Sequence, residues 1–401
     1  MMLKYLGPAA INYVTELFNE VIKSSNTPPI WKTGCIIPLL KPDKLSDERK
    51  RYRPVSLLSP LAKTLEVLLQ PTILQSVNLA NHQHGFRKSR STVTAMHEIT
   101  SHLKSGLNKN KPVDRSILVA VDLSCAFDTV NHEILLSDIS NLQLDPHINK
   151  FLAGYLRGRK TFVEFRDQKS KQRKMRQGVP QGGVLSPLLF NLYMATIPLP
   201  PAPMRLVSYA DDCSIIISGP KILPLCAELN AYLNTLNNWF IERNLHISPA
   251  KSSATVFTTF SNEISIQLPI YINNTLVPTE KHPKILGVTL DPLLNFGQHV
   301  KLTKDKVTKK NSVLKSLAGT SWGTSKETLL TTFKAISKSV LSYCSPIWSP
   351  SLSNTNWNEL QIAQNNGLKT SLGCVKMSDV GHIHAESKML PVKEHSDMLA
   401  N

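Results

Sequence analysis

Apolar residues recur at helical spacing near the start of the chain. Ile11, Val14, Leu17, Phe18, Val21 and Ile22 fall on one face of residues 9–24, which predicts an amphipathic helix ended by Pro28 and Pro29. Residues 31–42 read as a strand. Ser59 and Pro60 stand as cap and first residue of a helix whose face runs from Leu61 to Leu69, and a further helix starts near Thr92. Ile117-Leu-Val-Ala-Val-Asp122 is a continuous apolar run, which predicts a central strand covered on both faces and ending in an aspartate. A helix carrying Ile134, Leu135 and Leu136 follows. Then come a strand over residues 161–165 and a glycine-rich loop from Gln177 into a helix opened by Ser186-Pro187. Residues 206–218 hold two β-prone runs on either side of Asp211-Asp212, a hairpin with both carboxylates at its tip. Leucine spacing predicts a helix over residues 225–245, and residues 254–257 and 285–291 read as strands. Beyond 292 the chain turns helical and lysine-rich, over residues 301–315 and 326–342, so a domain change is placed there. Mixed helices and antiparallel strands make the expected class α+β.

Charge adds a partner class to this pattern. The 401 residues carry 46 Lys and Arg against 29 Asp and Glu, a net charge of +17, as expected of a polyanion binder; a basic balance that only aids solubility is the plainer alternative. The excess is uneven. One basic loop spans residues 41–53, with Lys41, Lys44, Arg49, Lys50, Arg51 and Arg53, and a basic hairpin spans residues 157–176. The six cysteines have no metal-ligand spacing and read as buried thiols of a reducing compartment. No apolar run is long enough to cross a membrane, and the first residues do not resemble a signal peptide, so an intracellular protein with no membrane partner is expected. The chain begins inside an apparent helix, as a piece of a larger polypeptide would.

Two adjacent carboxylates repel unless a cation lies between them, although an Asp-Asp pair at a turn is ordinarily plain solvated turn chemistry. Asp122 supplies a third carboxylate if its strand neighbours the hairpin. The three could then hold two divalent ions roughly 3.5 to 4 Å apart, the arrangement for phosphoryl transfer. The simpler reading of Asp122 is a helix cap, and Asp128 is taken as an acid favoured by a helix dipole. Residues 84–92, with Gly85, Arg87, Lys88 and Arg90 before a helix start, suit a phosphate but equally an ordinary capped basic loop.

Residues 118–132 (LVAVDLSCAFDTVNH), 177–190 (QGVPQGGVLSPLLF), Tyr209-Ala-Asp-Asp212 and 285–291 (ILGVTLD) stand in the order of the palm motifs of reverse transcriptases. With Trp31-Lys32, residues 52–56 (YRPVS) and Gly85-Phe-Arg87 upstream, the chain resembles non-LTR retrotransposon (LINE) reverse transcriptases of the jockey-like group. That resemblance implies a right-hand polymerase: fingers over 1–115, a ferredoxin-like antiparallel palm sheet backed by helices over 116–291, and a helical thumb with the start of a connection region over 292–401. It implies an RNA template, a DNA primer or target, dNTPs, and two Mg²⁺ ions with Mn²⁺ as an alternative. It also implies a ribonucleoprotein of nucleus and cytoplasm.

Residue by residue, the resemblance assigns metal binding to Asp122, Asp211 and Asp212, with the Leu123 carbonyl as an extra ligand. Phe127 matches an aromatic gate against a 2′-hydroxyl, Gln181 and Gly182 the nucleotide pocket, Arg87 and Arg53 phosphate contacts, and Lys251 a proton donor to pyrophosphate. Gly183 and Cys125 stand where related sequences often have serine and lysine. A catalytically inert nucleic-acid-binding remnant or domesticated fragment is the alternative. A group II intron-type maturase is a third reading.

Overall fold

The structure, a computed structural model, describes residues 5–41, 52–109, 113–319 and 323–400. Most of the basic loop at 41–53 lies outside the described residues. The first helix, α1 (Pro8–Ser24), buries Phe18 and Val21 but leaves Ile11 exposed, so its buried stripe is narrower than its apolar one. Strands β1 (Thr33–Leu40) and β2 (Tyr52–Leu57) pair antiparallel, and α2 (Pro60–Gln75) follows. Ser59 occupies the cap position of α2, yet its side chain makes no capping bond; Pro60 is the first helical residue as expected. Helix α3 (Thr92–Leu107) is closed by a capping box between Ser91 and Thr94. Strand β3 (Arg115–Val121), helices α4 (His132–Ser140) and α5 (Pro146–Leu156), and strand β4 (Lys160–Phe165) come next. β4 runs parallel beside β1, so the first sheet has the order β2-β1-β4 with two short basic strands beyond it.

The second sheet carries the expected hairpin. Helix α6 (Ser186–Tyr193) leads to strands β5 (Arg205–Tyr209) and β6 (Asp212–Gly219), then helix α7 (Ile222–Glu242) and strand β7 (Ser253–Phe257). All pairs are antiparallel and the order is β5-β6-β3-β7, the ferredoxin-like arrangement, with β3 between β6 and β7. Alternation along β3 explains its continuous apolar run. Ile117, Val119 and Val121 join the core shared with α5, α6 and α7, whereas Leu118 joins a second core with α3 and the C-terminal helices. Both faces are thereby covered, as the sequence pattern required.

Residues 285–291 do not form one strand. Two-residue strands, Lys284–Ile285 and Val288–Thr289, pair around a turn at Leu286 and Gly287, both with positive φ (45° and 86°), which the apolar character of the segment conceals. Helix α8 (Gly297–Leu317) buries Val300, Thr303, Val307, Asn311 and Leu314, a stripe at helical spacing that turns its lysines outward or to the edge. The helix expected over 326–342 is interrupted. It is α-helical as α9 (Lys326–Phe333), passes through a π-helical turn at Lys334–Lys338, and resumes for one short turn. The turn's Ser337 hydroxyl lies 2.9 Å from Asn311 Oδ1 of α8. Helix α10 (Asn354–Leu372) packs against α8. Cys213, Cys226 and Cys344 are buried thiols, but Cys125 and Cys374 are exposed, so burial is not common to all six.

Candidate active site

Pairing of Tyr209 with Asp212 leaves Ala210-Asp211 as a two-residue turn between β5 and β6. Ala210 has φ 58°, a left-handed conformation that an L-residue with a Cβ disfavours. The tip thus carries Ala210 and Asp211, while Asp212 opens strand β6. The β3–β6 register ends at Val121 opposite Cys213. Asp122 follows directly on β3 and Asp212 opens β6, so the register brings both to the same end of the sheet, where they line one cavity and their charges interact. Asp211 stands in the adjoining turn.

Their electrostatics carry the mark of that crowding. Asp212 is pushed up to about 6, by burial first and then by the charges of Asp211 and Asp122. Burial also raises Asp211, and Asp122 adds to the effect against a lowering backbone hydrogen bond. Asp122 does not cap a helix: the residue before the short helix Ala126–Thr129 is Cys125. Instead its amide donates to Ser252 Oγ (3.1 Å) and its carbonyl accepts from the Ser248 amide (2.8 Å), which fixes the backbone against the turn after α7. Its Oδ2 is buried without a hydrogen bond, and Lys251 Nζ stands 3.7 Å away. Asp122, Asp212 and Lys251 line one cavity of about 300 Å³ together with Glu280, Lys284 and Leu286.

This donor set fits a hard divalent cation. It is all carboxylate oxygen, one oxygen has no hydrogen bond, and a cation would remove the mutual repulsion that adds to burial in raising Asp211 and Asp212. Among the described residues no three His, Cys, Asp or Glu side chains already stand close enough to form a metal cage. Leu123 is buried in a bridge to Ile247; the bridge is made through the Asp122 carbonyl and the Ser124 amide, so the Leu123 carbonyl takes no part in it.

The structure places the other expected residues at different distances from this centre. Phe127 is half-buried, stacked on Phe190 with centroids 4.4 Å apart and edge-on to Phe86 at 6.3 Å. Gln181 lines a separate cavity of about 190 Å³, with Ile36, Ser56, Asp128 and Thr161. Its Nε2 donates to both oxygens of Asp128 at 3.0 Å, so Asp128, which stands in the first turn of the short helix Ala126–Thr129 as the sequence reading had it, also orients that amide. The Gln181 carbonyl accepts from the Ser56 amide (2.7 Å), and a Cβ on Gly182 (φ 133°) would lie 2.4 Å from the Ser56 carbonyl oxygen. Only glycine lets this loop close onto β2. Arg87 donates to the carbonyls of Ala80 and Gln83, and Arg90 to that of Asn81, so both guanidiniums hold the 80–90 loop together. Arg53 is exposed on β2 opposite Leu39.

Glu66 is a residue that sequence reading missed. Buried on α2, it accepts from the amides of Val184 (2.6 Å) and Leu185 (2.9 Å), and burial raises its carboxyl while Arg159 opposes the shift. Arg159, counted from sequence among the basic hairpin's surface charges, is buried here against the Tyr155 ring. Only a polar residue in the apolar stretch after Pro60 could have signalled this pair.

The family described as reverse transcriptase (RNA-dependent DNA polymerase) matches residues 39–290. The probable RNA-directed DNA polymerase from transposon BS of Drosophila melanogaster is 30% identical over 98% of this chain and 44% of its own length. That from transposon X-element of the same species is 28% identical over 97% and 43%. The polymerase from mobile element jockey of Drosophila funebris is 30% identical over 74% and 33%. The chain therefore spans less than half the length of these relatives. Among solved structures, a telomerase from Candida tropicalis in complex with a telomeric RNA fragment aligns over 98% of this chain and 65% of its own, at 12% identity and a TM-score of 0.47. With residues 39–290, more than half of its length, matched by that family, the chain belongs to the reverse transcriptase family.

Proposed function

We propose that the chain is an RNA-directed DNA polymerase that extends a primer 3′-hydroxyl on an RNA template, with residues 1–115 as fingers, 116–291 as palm and 292–401 as thumb. The observation that supports this reading is the β3–β6 register, which ends at Val121 opposite Cys213 and so brings Asp122 and Asp212 into the lining of one cavity, with Asp211 in the adjoining turn. Reverse transcriptases generally use divalent metal ions. Asp122, Asp211 and Asp212 would hold two Mg²⁺ ions here, which, when bound, lower the pKa of the attacking hydroxyl and neutralise charge on the leaving oxygen.

The chain's own side chains do the rest. Lys251, whose Nζ lies 3.7 Å from Asp122, would hand a proton to the departing pyrophosphate. Phe127, held between Phe86 and Phe190, presents a fixed ring edge to the sugar. Asp128 turns the Gln181 side-chain amide so that its Nε2 is used internally and its Oε1 would accept from a ligand. Primer extension on poly(rA)/oligo(dT) with Mg²⁺ is the test. Asp211→Asn and Asp122→Ala should each abolish extension and leave duplex binding intact. Full activity in either variant, or duplex binding with no product in the wild type, refutes the reading.

A further inference from the structure

The turn that carries Asp211 is not held by its own hairpin alone. Ala210 must stay at φ 58°, where alanine is disfavoured, and the direction of both following carboxylates depends on it. Gln83, only 3% exposed, reaches this turn from a segment 127 residues earlier. Its Oε1 accepts from the Ala210 amide (2.9 Å) and from the Gly85 amide (2.9 Å), while its Nε2 donates to the Ala210 carbonyl (3.2 Å). Both polar groups of Ala210 are thus bound by one side-chain amide.

The approach is built for this contact. The His84 amide donates to the Ser208 carbonyl and the Ser208 amide to the His82 carbonyl, each at 2.8 Å, laying residues 82–84 along β5. A Cβ on Gly85 would lie 2.4 Å from the Ala210 nitrogen, so only glycine permits the close approach. The Gly85 carbonyl is in turn held by Asn191 Nδ2 (2.9 Å). A glutamate at 83 could accept from both amides but could not donate to the Ala210 carbonyl, and an asparagine is one methylene short.

We infer that Gln83 is the positioning residue of the reactive carboxylates: it clamps Ala210 in its left-handed conformation and so aims Asp211 and Asp212. The inference rests on the polymerase reading for its catalytic consequence, but the clamp itself can be measured without activity. Gln83→Met keeps the shape and removes the hydrogen bonds. Glycine tolerates positive φ without a partner, so Ala210→Gly should relieve the need for the clamp.

The test uses the whole chain with four forms: wild type, Gln83→Met, Ala210→Gly and the double variant. Gln83→Met should lower kcat on poly(rA)/oligo(dT) by about 100-fold, the scale of a misplacement near 1 Å, with the KM for dTTP and duplex affinity within about twofold of wild type. The same substitution should cost at least about tenfold less in the Ala210→Gly background, a coupling that a merely structural glutamine would not show. An unchanged kcat, additive effects, or KM and duplex affinity moving together with kcat would each overturn the inference. Hydrogen exchange of a peptide covering residues 205–213 should quicken in Gln83→Met, and more in it than in the double variant. Unaltered exchange overturns the clamp whether or not the wild type extends a primer, which separates this failure from failure of the polymerase reading. If Gln83→Met does not fold, Gln83→Glu, which keeps two of the three bonds, should show the same coupling at reduced size.

Discussion

Glu66 stabilises the Gln181 loop from below while touching no part of the proposed substrate. Its folded carboxyl lies above the ordinary value of 4.5 because burial outweighs the two amides and Arg159. The folded chain therefore holds this proton to higher pH than the unfolded chain does. Stability from this group is full below about 4.5 and is lost as pH rises through the raised value. Glu66→Gln, which can still accept from Val184 and Leu185 but cannot ionise, should gain on the wild type as pH rises above the ordinary carboxyl value and through the raised one, read as a flatter dependence of the urea midpoint. A parallel pH dependence in the two proteins would show that Glu66 does not titrate in this range. Glu66→Leu should be worse at every pH, by about 2–6 kcal/mol, since it strands two buried amides.

The short helix Ala126–Thr129 and the loop from Gln177 meet strand β2 as one unit, joined by the Gln181 backbone carbonyl to Ser56 and by Asp128 to the Gln181 side chain. Phe127 sits on that unit with its ring stacked on Phe190; if it is the sugar gate, that packing holds the ring in place against a larger sugar. Phe127→Val should raise ribonucleotide incorporation relative to deoxyribonucleotide by roughly 10- to 200-fold, the range for a hydrophobic wall shortened by a few carbons; equal discrimination in the variant would remove Phe127 from the gate role. Local pattern made much of this legible. The apolar run ending at Asp122, the hairpin around Asp211 and the buried stripe of α8 each follow from residues near in sequence. Other elements were hidden for stated reasons. The 284–289 turn lies inside an apolar segment, so only Leu286-Gly287 marks it. Glu66 and Gln83 act on backbone 118 and 127 residues away, and no periodicity reports a side chain whose partner is a distant amide.

At the scale of the whole molecule the +17 charge must be assigned to surfaces, because cations turned inward cannot neutralise a phosphate. Arg159, Arg87 and Arg243 are spent on internal partners: the Tyr155 carbonyl, loop carbonyls, and Asp138 at 2.7 Å. What stays outward is grouped. Lys160, Arg166, Lys169, Lys171, Arg173, Lys174 and Arg176 are exposed on or beside the β4 hairpin, with Glu164 3.5 Å from Lys169 as an internal counter-charge. Lys301, Lys309 and Lys315 are exposed on α8, outside its buried stripe. If both groups bind backbone phosphate, affinity for RNA should fall with salt whatever the template sequence, and each lost contact to a single strand should remove about 0.7 from the slope of log K against log salt. Replacing Lys169, Lys171, Arg173 and Lys174 together by glutamine should lower that slope by up to about 3, measured by fluorescence anisotropy on two unrelated single-stranded RNAs. An equal loss on both RNAs is the signature of phosphate contact. A slope that stays at the wild-type value would mean that the hairpin's charge faces solvent rather than the template, and would leave the α8 lysines as the polyanion track.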